Sequence, residues 1–190
     1  PALTPIEIGL TAAIVAAEDE EPAILVAGAS AAGETRAGEL SAGLPFGPFD
    51  PLAHRTFEIG LRAWVAAQTG LTVGYVEQLY TFGDRFRDPR ERGGGPRVVS
   101  AAYLALVREG AQPRQRGAAF RDWYEFLPWE DWREGRPASI DRTLKPALMA
   151  WSGEDAQRRD RVLLAFGIDG TPWDPERTLE RYELLWEAGL

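Results

Sequence analysis

The chain has 190 residues, no cysteine and a formal net charge of −8 at pH 7. That length suffices for one compact domain, or for one domain with a sizeable extension. The absence of cysteine excludes disulfides and thiolate metal sites and favours a cytoplasmic location. The negative net charge argues against binding of nucleic acid through the overall electrostatic field of the protein, because phosphate recognition relies on clustered lysine and arginine. A mean hydropathy of −0.26 is too polar for a membrane protein, so no membrane partner is expected.

The first part of the chain predicts a β-hairpin followed by a long loop. Two apolar runs between Ile6 and Val26 flank the acidic break "EDEEP", which is typical of a strand, a turn and a strand. Residues 27–53 are rich in Gly, Ala and Pro, and the prolines of "GLPFGPFDP" remove backbone donors. We therefore expect this segment to stay outside the sheet.

The stretch "TFEIGLRAWVAAQTGL" predicts an amphipathic helix. Phe57, Leu61 and Val65 recur with Trp64 at three- and four-residue spacing, so they share one face. Gly70 then ends the helix. Its single acid, Glu58, stands four residues before Arg62, a spacing that predicts a surface ion pair.

The rest of the chain predicts strands and then helices. "LTVGYVEQLYTF" and "RVVSAAYLALV" are rich in β-branched and aromatic residues and predict strands, and the arginine- and glycine-rich stretch between them predicts a flexible basic loop. A strand is predicted at "RDWYEFLPW" and a short helix at "EDWREG". From Ser139 onward the pattern is helical, and the last helix places Leu179, Tyr182, Leu185 and Trp186 on one face.

This order of elements, with "YVEQLYTFGD", "RDPR" and "VVSAAYLAL" as its most specific parts, resembles the Nudix fold. Over residues 45–110 the chain looks most like the NrtR-like proteins, the Nudix-related transcriptional regulators of NAD metabolism. The resemblance implies an α+β fold, with a mixed β-sheet sandwiched between helices, in residues 1–137. Residues 138–190 would then form a helical C-terminal extension packed on that domain or at a dimer interface.

The Nudix helix of the family carries glutamates that hold the magnesium ions polarising a diphosphate. Aligning the end of that motif on Gly70 and Leu71 shows which residues replace its Arg-Glu and Glu-Glu pairs. They are Ala63, Trp64, Ala67 and Gln68. Because none of these is acidic, the resemblance implies a degenerate Nudix box, with no catalytic residue, no metal ligand and no resident cofactor.

By resemblance the chain would sense ADP-ribose or a related phosphoribosyl or nucleotide effector. The candidate ligand-binding residues are Arg85, Arg87, Arg90, Arg97, Glu77, Phe49 and His54. Guanidinium forks match phosphate oxygens, and Asp88 and Pro89 would fix a turn that aims the flanking arginines. The competing interpretation is a solvated basic loop that only balances acidic neighbours.

The other candidates also have two interpretations. Glu77 alternates with Tyr75 and Leu79 along a strand, so it is either a buried acid paired with an arginine or an acid that reaches a ribose hydroxyl. His54, the only histidine, is either a phosphate or ribose contact or a polar residue before the helix. One of three loop phenylalanines, Phe49 among them, would stack on an adenine.

Two rival functions stay open at this point. A divergent Nudix pyrophosphatase would use acids outside the box, such as Glu58, Glu77 or Asp84, together with magnesium. A ligand-free dimerisation or interaction module would keep only the fold. A homodimer is expected. In NrtR-like proteins a winged-helix segment follows the Nudix part, whereas this chain ends on "LERYELLWEAGL", so DNA binding is expected only through a segment absent from it.

Overall fold

A computed structural model describes residues 5–18, 21–28, 42–86, 88–108 and 110–190. The chain divides into two compact units. They are Pro1–Trp123 and Tyr124–Leu190. The domain boundary after residue 137 stays a prediction. No helix in the described ranges is long and apolar enough to cross a membrane.

The first unit is built on a seven-stranded sheet. Its strands are β1 (Ile6–Glu18), β2 (Glu21–Gly28), β3 (Ala42–Gly43), β4 (Phe46–Pro48), β5 (Val76–Phe82), β6 (Arg97–Leu106) and β7 (Ala118–Asp122). β1 runs parallel to β6 and antiparallel to β2 and β4, while β5 pairs with β6 and β7 pairs with β2. The sheet is therefore mixed, and the predicted hairpin is confirmed.

Part of the segment predicted to stay outside the sheet forms β3 and β4, so that prediction is wrong. Pro45 takes part in pairing through its carbonyl, which needs no N–H: Ala12 N donates to Pro45 O at 2.9 Å. Beyond the other end of β4, Phe49 N donates to Ile8 O at 2.7 Å. Residues 29–41 of the predicted loop lie outside the described residues.

Helix α1 (Phe57–Thr69) packs against the sheet. Thr56 caps its start, because its hydroxyl accepts from Ile59 N at 3.2 Å, and Gly70 ends it with φ 71. Leu61 and Val65 are each 1% exposed and belong to the core of the first unit. The predicted helix, its end and its buried face are confirmed.

Two local predictions between β5 and the helical tail are wrong. The predicted basic loop contains a short helix, α2 (Pro89–Arg92), which Asp88 caps by accepting from Arg90 N at 2.9 Å. The strand predicted at "RDWYEFLPW" stops at Asp122, where one turn of 3-10 helix begins. The register explains the stop, because the next residue of β2 is Pro22, which has no N–H to donate.

The second unit is helical, as predicted from Ser139 onward. Its helices are α3 (Lys145–Ser152), α4 (Ala156–Phe166) and α5 (Thr178–Ala188), and a π-helical turn leads into α3. Their shared core is apolar and fully buried at eight positions. These are Ile140, Leu148, Val162, Ala165, Phe166, Ile168, Leu184 and Leu185.

One prediction in the second unit is wrong. "EDWREG" forms no helix, because the Asp131 carboxylate accepts from Arg133 N at 3.3 Å and Gly135 has φ 97, so the backbone turns. On α5 the buried residues are Arg181, Leu184 and Leu185. Of the four residues predicted to share one face of this helix, Leu185 is buried and the other three are exposed.

Candidate functional site

Strand β4 lies along the α1 face that carries Trp64 and Gln68. The Gln68 side-chain amide forms two hydrogen bonds with Phe46: Oε1 accepts from the backbone N at 3.1 Å, and Nε2 donates to the backbone O at 2.6 Å. The Trp64 indole Nε1 donates to Pro48 O at 2.9 Å. Both side chains therefore anchor β4 to α1.

The contact between β4 and α1 also depends on a glycine. A Cβ atom at Gly47 would lie 2.2 Å from Cδ2 of the Trp64 indole, a distance at which atoms overlap. Only glycine allows the strand to approach the ring so closely. An ionised carboxylate at position 64 or 68 would have no hydrogen to offer the carbonyls of Phe46 and Pro48. These two positions of the aligned box thus carry neutral donors that bind backbone.

The other two aligned positions carry no polar group. Ala63 and Ala67 are exposed on α1. Among the residues that the structure describes, no group of three or more His, Asp or Glu is placed to hold a metal ion. The absence of a catalytic residue, a metal ligand and a cofactor remains a prediction.

The predicted ion pair on α1 is confirmed. Arg62 Nη2 lies 2.7 Å from Glu58 Oε1, and the same nitrogen donates to Gly74 O at 2.6 Å, while Nη1 donates to Val73 O. Arg62 thereby ties the helix to the chain that follows it.

The acid of this pair also acts on a neighbouring tyrosine. Burial raises the pKa of Tyr103, and the negative charge of Glu58 raises it further.

The arginine at the centre of the predicted phosphate clamp is held by carboxylates. Arg90 Nη2 lies 3.0 Å from Asp88 Oδ2 and 2.9 Å from Glu7 Oε1. Hydrogen bonds to Asp88 and then to Glu7 raise the pKa of Arg90, and the hydrogen bond from Arg90 lowers the pKa of Asp88. This arrangement favours the interpretation in which the basic loop balances acidic neighbours.

The other predicted arginines have separate surroundings. Arg97 Nη2 donates to Gly83 O at 2.6 Å and so fastens the start of β6 to the end of β5. The Arg85 guanidinium lies 4.8 Å from the centroid of the Phe86 ring. Arg87 lies outside the described residues. The described arginines of this set therefore have different partners rather than a common one.

The buried interpretation of Glu77 is wrong. β5 lies at the edge of the sheet, and Glu77 is exposed together with its neighbours Tyr75 and Leu79. An edge strand leaves side chains in solvent unless another element covers them. The interpretation of Glu77 as a ribose contact stays a prediction.

Phe49 and His54 lie together ahead of α1. The Phe49 ring meets the Phe57 ring edge-on with 4.7 Å between centroids and packs against the core, and it lies 5.9 Å from the His54 ring. His54 Nδ1 accepts from Asp50 N at 3.1 Å, which closes the turn before the helix. That contact favours the interpretation of His54 as a polar residue before the helix. Both remain candidate ligand contacts by prediction only.

The loop between β6 and β7, of which residues 107, 108 and 110–117 are described, was overlooked by the sequence reasoning. The loop contacts the end of α1, because Arg114 N and Gln115 N donate to Thr69 O at 2.8 and 3.3 Å. It carries the exposed arginines Arg108, Arg114 and Arg116. The available signal was "VREGAQPRQRG", a second basic and glycine-containing stretch after the last long strand.

No protein-family model matches the sequence, and no curated protein matches it either. The structure is similar to the Nudix domain of Shewanella oneidensis NrtR complexed with ADP-ribose, with a TM-score of 0.54 and 22% identity over 66% of this chain and 79% of that one. The chain has the Nudix fold. A Nudix neighbour from Enterococcus faecalis, a MutT/nudix family protein, gives a TM-score of 0.51 at 19% identity over 64% of this chain and 46% of that one. The predicted Nudix architecture is thus confirmed.

The similarity also reaches the helical unit that follows the Nudix part. Shewanella oneidensis NrtR gives a TM-score of 0.52 at 19% identity over 94% of this chain and 77% of that one. Because Pro1–Trp123 make up a much smaller share of the chain than 94%, this match extends into Tyr124–Leu190. That extension was not expected, since residues 138–190 carry no motif on which the resemblance could be anchored.

The ion pairs around Arg90 lead to a prediction about acid stability. Asp88→Asn is expected to lower the free energy of unfolding by about 0.5–1 kcal/mol at neutral pH, since the pair is partly exposed. Because the folded-state pKa of Asp88 is lowered, its contribution is present above the ordinary value of 3.8 and is lost as the pH falls through the lower value. Urea unfolding at neutral and acid pH, with the exposed Asp84→Asn as control, measures this. An Asp88→Asn effect that persists unchanged in acid would contradict it.

Proposed function

We propose that this chain is the ligand-sensing domain of a regulator of NAD metabolism, and that it binds ADP-ribose or a related nucleotide without hydrolysing it. The observation that carries the proposal is the β4 contact on α1. Trp64 and Gln68 stand at positions where the aligned Nudix box has metal-binding acids, and both donate hydrogen bonds to β4 carbonyls.

The absence of hydrolysis follows from the donor chemistry of that face. Magnesium prefers oxygen ligands and is held beside substrate phosphates through one or two carboxylates. An indole N–H and an amide N–H present positive ends of dipoles, and Ala67 presents no polar group at all. A diphosphate beside this face would find no protein carboxylate at the aligned box positions to hold a cation on it, and Glu58, the one acid of α1, is already paired with Arg62.

The ligand class is supported by the ligand that one structural neighbour binds. The Nudix domain of Shewanella oneidensis NrtR was crystallised with ADP-ribose. In this chain Arg85, Arg87, Glu77, Phe49 and His54 remain candidate contacts for such a ligand. Arg90 and Arg97 are weaker candidates, because their guanidinium groups already bind carboxylates or a carbonyl.

A second candidate function, a self-association module, is favoured by the surface of β5. Tyr75 is 79% exposed, and Leu79 and Tyr80 are also largely exposed on this edge strand. An edge strand can pair antiparallel with an identical strand about a two-fold axis. The homodimer is therefore retained as a proposal, with β5 as its interface.

One titration tests these functions together. The protein is melted with and without ADP-ribose and magnesium, the nucleotide products are separated, and sedimentation is followed in parallel. Ligand at about 100 times its dissociation constant adds about 2.7 kcal/mol of stability, so a sensor melts at a clearly higher temperature. Stabilisation without AMP supports the sensor. Sustained AMP release overturns it in favour of a hydrolase using Glu58, Glu77 or Asp84, and the single variants Glu58→Gln, Glu77→Gln and Asp84→Asn would identify which acid is needed.

A protein that neither melts higher nor releases AMP contradicts both ligand-dependent functions. If it also sediments as a dimer, the self-association module is supported. Leu79→Ser with Tyr80→Ser then provides the test of the interface, because both side chains are exposed and their replacement leaves the core untouched. A dimer that survives this change would place the interface away from β5.

A further inference from the structure

Most described arginines of this acidic chain bind a carboxylate, a carbonyl or an aromatic ring. The described arginines whose side chains make no hydrogen bond, ion pair or ring contact are Arg55, Arg92, Arg108, Arg114, Arg116 and Arg142. Half of this set lies in the single loop between β6 and β7. Among the described residues, arginine side chains without a partner are therefore concentrated in this loop, on a chain of net charge −8. Glu109 of the same loop lies outside the described residues.

The backbone of this loop is held at both ends and in the middle. Val107 N donates to Val15 O at 3.0 Å at the start, and Gly117 O accepts from Gly28 N at 2.8 Å at the end. Between them the loop binds Thr69 O through two backbone N–H groups. Side chains on an anchored loop lose less freedom when they bind a ligand than side chains on a mobile one.

Hydrogen-bond capping of the helix does not account for the Arg114 side chain. Cations near the carboxyl end of a helix complement its dipole, and an arginine side chain can cap the last carbonyls. Here the Thr69 carbonyl at that end is already bound by Arg114 N and Gln115 N. The Arg114 guanidinium remains exposed and makes no hydrogen bond within the described residues.

We infer that Arg108, Arg114 and Arg116 form an anion site that binds the diphosphate of the nucleotide ligand. The inference rests on the proposed function, which supplies the ligand class. Guanidinium forks bind phosphate oxygens in a bidentate manner, and three of them balance much of the charge of a diphosphate. The loop contacts the end of α1 at Thr69, and its arginines would bind phosphate directly, without a metal ion held by helix acids.

The test compares two triple variants of the full chain. Arg108→Gln with Arg114→Gln and Arg116→Gln removes the loop charges. Arg55→Gln with Arg92→Gln and Arg142→Gln removes the charges of the other three described arginines without a partner, all at exposed positions, and is the matched control. Calorimetric titrations use ADP-ribose and, separately, inorganic diphosphate. Loss of a hydrogen bond to a charged group costs enough to weaken binding about tenfold or more, so the loop variant is expected to bind both ligands at least about tenfold more weakly than the control.

The outcomes separate the site from the function. The unmodified protein could bind inorganic diphosphate more tightly than the loop variant does and yet not bind ADP-ribose. That result supports the anion site and overturns the nucleotide sensor. If ADP-ribose binds equally to both triple variants, the anion site is overturned while the sensor stands. Failure of the unmodified protein to bind either ligand overturns both. Equal melting temperatures of the two variants establish that the loop change did not unfold the protein.

Discussion

Glu130→Ala is expected to destabilise the helical unit Tyr124–Leu190 by about 3–5 kcal/mol, because it leaves a buried charge unpaired. Arg181 is 0% exposed, and its Nε and Nη2 lie 2.6 and 2.7 Å from the two Glu130 carboxylate oxygens. Its Nη1 donates to Ala165 O and Asp174 O, and its Nη2 also donates to Thr178 Oγ1 at 3.2 Å. The guanidinium lies 3.8 Å from the centroid of the Trp173 ring. Without Glu130, a buried cation would keep only neutral partners.

Urea unfolding followed by tryptophan fluorescence measures this loss, because most tryptophans of the chain lie in the helical unit. The exposed pair Arg161–Glu187, 2.8 Å apart, provides the control: Glu187→Ala is expected to cost less than about 1 kcal/mol. Replacing both buried partners, Glu130→Leu with Arg181→Met, is expected to recover much of the loss, since no charge is then left unpaired. Equal, small effects at Glu130 and Glu187 would contradict this account.

Gly47→Ala is expected to destabilise the first unit by about 1–3 kcal/mol, with the added methyl forced against the Trp64 indole. The strand must then move off α1, and the hydrogen bonds from Trp64 and Gln68 to β4 weaken with it. Gly43→Ala is the matched control, because nothing lies within 4 Å of a Cβ atom at that position.

A double-mutant cycle with Trp64→Ala isolates the contact. With the indole removed, Gly47→Ala is expected to cost little, so the two changes are strongly non-additive. The measurement is the urea midpoint of the four proteins. Additive effects would mean that Gly47 is needed for its backbone alone and that Trp64 does not anchor β4.

The parts of the fold that sequence reasoning predicted correctly depend on local signals. The glycine at position 70 and the spacing of Leu61 and Val65 lie within one short stretch, and they predict α1 without reference to the rest of the chain. The end of β7 could not be predicted in this way. The end depends on Pro22 in the partner strand, which the local sequence does not show. The aromatic residues that favour a strand continue beyond Asp122, so composition alone predicts a longer strand than the one observed.

The sequence predicted which residue types occupy the candidate site but not which groups they contact. Alignment identifies Trp64 and Gln68 as replacements for acids, yet their new partners lie in β4, outside the helix. The sequence alone predicts Arg90 as a phosphate ligand. In the structure its guanidinium binds Glu7, which is far from it in the sequence of the first unit. The sequence shows which residues carry charge, and the fold decides which of those charges remain available to a ligand.

A phosphorus-31 NMR time course of ADP-ribose with the protein and magnesium tests the central claim, that the Nudix fold here binds a nucleotide without cleaving it. Binding alters the two diphosphate resonances, whereas hydrolysis adds water across the diphosphate and yields AMP and ribose 5-phosphate, each with a phosphomonoester resonance. We expect shifted or broadened diphosphate signals that keep their total intensity throughout. Growth of phosphomonoester signals, or diphosphate signals unchanged by the protein, would contradict the claim.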